Sequence, residues 1–207
     1  PYYTEYTKAL HEHYAKQMRT ASVSIPMLLK DVPKERTVLD SLIIFKHKDV
    51  PDVPHTFQLQ ARWVTNGSGM IVGIDYDQSY SPVVREDSLC TCLTIAARNK
   101  FTAYGIDIVN AFQTVFQPDP SKRQYMRLPY GFVTFWKAEY PHIALPSVNP
   151  RDLVVQTQTS FQGEKPAGRN FNDFERKVLE KDHWIISSAD RGVYTKQVND
   201  HRAMLCV

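Results

Sequence analysis

Asp107 stands between Ile106 and Ile108 in the stretch YGIDIVNAFQTVF, residues 104–116. The apolar residues around the aspartate read as a buried strand. Those that follow, Val109, Ala111, Phe112, Val115 and Phe116, fall at a helix-like spacing. A carboxylate at such a junction has two uses. It can cap the helix by accepting hydrogen bonds from free backbone N–H groups. It can also hold a divalent cation, because a rigid carboxylate and the backbone carbonyl of the next residue, Ile108, are hard oxygen ligands of the kind Mg²⁺ takes. Enzymes of phosphoryl transfer set such carboxylates around two metals, one activating the attacking oxygen and one stabilising the leaving oxygen. One aspartate cannot do this alone, so the metal reading requires a second acidic cluster on a neighbouring strand.

The elements that must position Asp107 follow from periodicity. EYTKALHEHYAKQM has Tyr6, Leu10, Tyr14 and Met18 at helical spacing. SLIIFKHK (41–48) and FQLQARWVT (57–65) read as a strand hairpin joined through the proline-bearing DVPDVPH. NGSGM is a turn, and IDYDQSYSPVV is extended, with Pro82 excluding helix. EDSLCTCLTIAARNK (86–100) is a helix with acids at its start and bases at its end, as the macrodipole favours. A strand TAYGIDI, a short helix NAFQTVF and a strand RQYMRL (123–128) are expected next, then a loop over the prolines of 141–157. GRNFNDFERKVLEKD (168–182) is an amphipathic helix, and HWIIS, GVYTK and AMLCV read as three strands. The fold class is therefore α+β, an antiparallel sheet covered by helices.

Composition sets bounds without choosing a function. The chain has 207 residues, 43% hydrophobic and 23% charged, with a formal net charge of +3. That is enough apolar material for a core, and the charge permits a nucleic-acid partner without demanding one. No run approaches the ~18 apolar residues of a membrane span, and no signal peptide opens the chain. Cys90, Cys92 and Cys206 do not make a zinc set and are expected to be reduced and buried, as in an intracellular protein.

In order and spacing, GIDYDQSYSPVV, DIVNAF, QYMRLPYGF and TSFQGEKPAGRNF resemble the reverse transcriptase domain of copia-type LTR retrotransposons, over roughly residues 40–207. The resemblance implies a fingers-and-palm polymerase: residues 1–40 as an N-terminal helix and lead-in, 41–85 as the fingers hairpin and extended segment, and 86–207 as palm with interleaved fingers elements. It implies that Asp107 is the first catalytic aspartate and that Ile108 lends its carbonyl to the metal. Ala111 and Phe112 would lie against the incoming nucleotide, Phe112 as the ring that leaves no room for a 2′-hydroxyl. Arg62 would clasp the triphosphate, a task suited to a guanidinium fork. The cofactor implied is Mg²⁺, and the partners are an RNA or DNA template-primer and a dNTP, in a cytoplasmic particle or the nucleus.

Several positions depart from the family. Gln60 replaces a lysine, and in the turn resembling Ser-Leu-Tyr-Gly-Leu-Lys-Gln-Ala, Gln162, Glu164 and Pro166 replace tyrosine, leucine and glutamine. The sequence also ends at AMLCV, before the family's Tyr-x-Asp-Asp hairpin, so two of three catalytic carboxylates are not among these residues and the chain alone is expected to be inactive. The expected strand at 203–207 offers an edge for another chain or a following segment to cover. The alternative reading is a domesticated, non-catalytic structural subunit of a larger assembly. A third, a general nucleic-acid binder, rests on Lys122, Arg123 and Arg127 around Tyr125.

Overall fold

The computed structural model describes residues 2–49, 57–199 and 201–207, which fall into two compact units. The first comprises 1–79 and 112–167, the second 80–111 and 168–207.

In the first unit the helical stripe forms helix α1 (Tyr2–Arg19), burying Leu10, Tyr14 and Gln17 on one face. That face packs on a hairpin of β3 (Ser41–Asp49) and β4 (Phe57–Thr65), paired in register from Ser41 opposite Thr65 to Asp49 opposite Phe57. Apart from Asp49, the connection expected at 49–55 lies outside the described residues. Trp63 of β4 is fully buried, its ring 5.7 Å from that of Tyr14, 5.4 Å from Phe132 and 5.5 Å from Phe161. Phe132 belongs to helix α3 (Phe132–Glu139), opened by Gly131 at φ 76°. Phe132, Phe135 and Trp136 of that helix fall at i, i+3 and i+4 and are buried.

A small sheet completes this unit, in the order β1 (Met27–Leu28), β6 (Leu153–Gln156), β5 (Tyr125–Arg127), β2 (Val38–Leu39). Its β2–β5 pair is parallel, so the sheet is mixed rather than antiparallel as expected. Strand β6 lies inside the stretch expected to be loop. Pro150 starts only a single 3₁₀ turn, after which Leu153, Val154 and Val155 form a short, fully buried run.

The second unit holds α2 (Glu86–Arg98), most of α4 (Ala167–Lys181) and an antiparallel sheet of β7 (Ile185–Ile186), β8 (Val193–Val198) and β9 (His201–Cys206). Asp190 ties it together by accepting the Arg85 and Gly192 amides, each at 2.9 Å. A hydrogen bond from Ser88 and these two amides hold its carboxyl down at about 2. Val84 donates to the Val207 carbonyl at 2.6 Å, and Val207 to that of Gly192 at 2.8 Å.

The strand expected at 102–108 does not form. Residues 101–108 are irregular and exposed, Tyr104 at 83% and Ile106 at 81%. Alternation marks a segment able to pair, but a strand exists only when a neighbour takes its backbone hydrogen bonds, and among the described residues no strand runs beside this one. The helix expected after it shrinks to a 3₁₀ turn, Ala111–Thr114, entered through Asn110 at φ 56°.

The turn 161–167 locks onto the end of the hairpin. Thr65 donates its amide to the Gln162 carbonyl at 2.9 Å, and the Lys165 ammonium bonds the Met70 carbonyl at 3.1 Å. Gly67 and Gly163 let the two backbones touch. A Cβ on Gly67 would strike the Gly163 carbonyl, and one on Gly163 the carbonyl of Thr65. Gly67→Ala should therefore cost about 1–3 kcal/mol in urea unfolding. Gly69→Ala, whose Cβ would meet only the Leu39 side chain at 3.7 Å, should cost under ~1 kcal/mol. Equal losses at the two sites would contradict the packing.

Two titrating groups are built into the same unit. Burial pushes the Glu164 carboxyl up to about 7, against hydrogen bonds from the Phe161 amide and Thr157. Burial pushes His13 down to about 4, aided by the charges of Lys16 and Arg62. Folded Glu164 keeps a proton that the unfolded chain releases, so its contribution is full below its ordinary 4.5 and is lost as pH rises through about 7. Folded His13 refuses a proton that the unfolded chain takes, so its contribution is full above 6.5 and is lost as pH falls through about 4. The two slopes oppose each other. The melting temperature of the unaltered chain should change little between pH ~4.5 and ~6.5, whereas that of Glu164→Gln should climb with pH by roughly 5 °C and that of His13→Phe should fall. Parallel profiles in all three proteins would contradict the assignment.

Candidate functional site

The expected site residues divide between the units. Asp107, Ile108 and Ala111 belong to the second, Arg62 and Phe112 to the first.

Asp107 is exposed, and the segment after it is a 3₁₀ turn, Ala111–Thr114, rather than a helix for it to cap. Ile108 follows it, 46% exposed. An exposed carboxylate and a neighbouring carbonyl are the right kind of donors for Mg²⁺, which prefers hard oxygens and commonly keeps water and substrate phosphate in its remaining positions. They are too few for two metals. Among the described residues no group of three or more His, Cys, Asp or Glu side chains gathers anywhere in the chain.

Arg62 lies on β4 opposite Ile44. Because strand side chains alternate, burying Trp63 turns Arg62 outward, and it is exposed. Phe112 is half-buried in the 3₁₀ turn, which runs on into a docked segment. Ser160 donates to the Val115 carbonyl at 3.0 Å, Gln117 to that of Gln158 at 2.9 Å, and Phe116 bridges Thr159. The Arg123 guanidinium sits over the Phe116 ring, 5.2 Å from its centre. Phe112 and Arg62 are thus carried on two supports of one unit.

The turn at 161–167 is packed. Glu164 is buried, its Oε2 accepting the Phe161 amide at 3.0 Å. Pro166 is buried just ahead of α4, where its fixed φ suits a helix start, and it offers no side-chain donor.

Two other expectations change. The basic cluster is not a stacking platform: Tyr125 is buried with its hydroxyl bonded to Gln156, and Arg127 pairs with Asp40 at 3.5 Å. The cysteines are free as expected but not buried. Cys90 is exposed, while Cys92 and Cys206 are half-buried, and burial with a hydrogen bond to Cys92 pushes the Cys206 thiol up to about 11. The role of Asp190 was missed by sequence reasoning, and its only sequence signal was an Asp-Arg-Gly turn before β8.

Comparison with known proteins bears on all of these residues. No solved structure matches the chain. A curated relative, the retrovirus-related Pol polyprotein from transposon TNT 1-94 of Nicotiana tabacum, is 25% identical over 177 residues, covering 86% of this chain and 12% of the polyprotein. The family model for reverse transcriptase (RNA-dependent DNA polymerase) matches residues 27–207, taking in Arg62, Asp107 and Phe112 alike. The chain therefore belongs to the reverse transcriptase family, in its copia-type retrotransposon form.

Proposed function

We propose that this chain is the nucleotide-handling part of a retroelement RNA-directed DNA polymerase, with residues 41–85 serving as fingers and 86–207 as palm with interleaved fingers elements. The observation that carries the reading is the family match over residues 27–207, a range that includes the exposed Arg62 and Asp107. In the complete enzyme Mg²⁺ would lower the barrier to attack of a primer 3′-hydroxyl on the α-phosphate of a dNTP.

The chain's own contributions are separate from that chemistry. Asp107 and the Ile108 carbonyl would hold one face of a metal ion. Arg62 would neutralise triphosphate oxygens through its fork. Ala111 and Phe112 would lie beneath the sugar, where the ring excludes a 2′-hydroxyl. RNA or DNA template-primer is the partner of this reading, and an intracellular particle or the nucleus its place of action.

With one carboxylate for two metals, the chain alone should not incorporate dNTPs above an Asp107→Asn control in primer extension with Mg²⁺ or Mn²⁺. It should still bind Mg²⁺·dATP, and Arg62→Ala should weaken that binding about 5-fold or more in equilibrium dialysis. Template-dependent incorporation by the unaltered chain, or affinity indifferent to Arg62, would overturn these assignments.

A further inference from the structure

The first unit contains a hydrogen-bonded path that neither the family match nor the expected site residues account for. Gln113, next to Phe112, donates its side-chain Nε2 to the Gln17 Oε1 at 3.0 Å. Gln17 is 1% exposed, and its own Nε2 lies 3.1 Å from the Nε2 of His13. The same His13 nitrogen accepts the backbone amide of Trp63 at 3.0 Å. Trp63 is the residue after Arg62.

Each bond fixes the sense of the next. The Trp63 N–H can only donate, so His13 Nε2 carries no proton and the ring proton sits on Nδ1. Gln17 must then present its amide nitrogen to His13, which turns its oxygen toward Gln113. Flipping Gln17 would set donor against donor at Gln113 and leave His13 with one partner fewer. Trp63 needs this acceptor for a topological reason. Its hairpin has two strands, so β4 has β3 on one side only, and an inward edge N–H needs a partner from outside the sheet, as the Thr65 amide finds in the Gln162 carbonyl. The indole N–H is separately satisfied by Ser41 at 2.9 Å.

The helix that supplies His13 and Gln17 lies outside the family match, which begins at residue 27. Even so, one turn of it is bonded both to the Gln113 side chain and to the Trp63 backbone. His13 and Gln17 are four residues apart and so share a face, the buried face that carries Leu10 and Tyr14.

We propose that His13 and Gln17 are positioning residues, a relay from α1 that holds the Phe112-bearing turn and the Arg62-bearing strand in a fixed relation so that one nucleotide can meet both. The claim rests on the nucleotide reading of Arg62 and Phe112, but the mechanical link can be measured without it.

The test uses the full chain with Gln113→Leu, His13→Phe and the double variant. Gln113→Met serves if the leucine variant does not fold. Amide hydrogen exchange is followed at Trp63, and Mg²⁺·dATP affinity is measured in parallel. Each single variant should speed Trp63 exchange about 5-fold or more, although Gln113 does not touch Trp63, and the double variant should be no faster than His13→Phe. Affinity should drop about 3-fold in each single variant and no further in the double, because residues acting in series are not additive. A generally loosened core would instead give effects that add.

Trp63 exchange unchanged by Gln113→Leu, or additive effects in the double variant, would overturn the relay. Coupled exchange in a chain whose dATP affinity ignores Arg62→Ala would refute the nucleotide reading, and with it the positioning role, while leaving the hydrogen-bonded link as a measured fact.

Discussion

The first unit depends on the burial of one indole. Trp63 brings α1, α3 and the turn at Phe161 to a single point through edge-on and tilted contacts with Tyr14, Phe132 and Phe161. Such contacts between aromatic rings add roughly 0.5–1.5 kcal/mol each beyond area burial. Two polar bonds fix the ring's orientation, the indole N–H to Ser41 and the backbone N–H to His13. With Trp63 pinned inward, β4 has no freedom of register, since a one-residue slip would bury Arg62 and expose the indole. The exposure of Arg62 is therefore a consequence of the core.

The end of the same hairpin also holds the turn that follows Ser160. The 161–167 turn is held by main-chain contact between Gly67, Gly163 and Thr65, which is independent of the side chains at 162, 164 and 166. Glu164 is accommodated there because the Phe161 amide meets one oxygen and burial pushes its carboxyl up to about 7.

Much of this was legible in sequence. The α1 stripe, the hairpin, α2, α4 and the last three strands announce themselves through periodicity, although α2 buries none of its residues among the described chain. Helix α3 carried its signal too, since Phe132, Phe135 and Trp136 follow a glycine, but it is only eight residues long. Strand β6 was hidden by Pro150, which punctuates without preventing a strand three residues later. The error at 102–108 is of another kind. Ile106 and Ile108 show what the segment is able to pair with, and no sequence pattern reports whether a neighbour is present to do so. The segment around Asp107 is thus irregular, while the hydrogen bonds around His13 join positions 50 and 96 residues apart, beyond any local pattern.

The central proposal is that Asp107, exposed in this chain, is a metal ligand. Paramagnetic broadening by Mn²⁺ of the amide resonances of the ¹⁵N-labelled chain tests it most directly. The account predicts broadening centred on Asp107 and Ile108, strengthened by dATP and abolished by Asp107→Asn. Broadening at other surface carboxylates such as Asp119 and Asp182, with residues 106–109 left sharp, would contradict it.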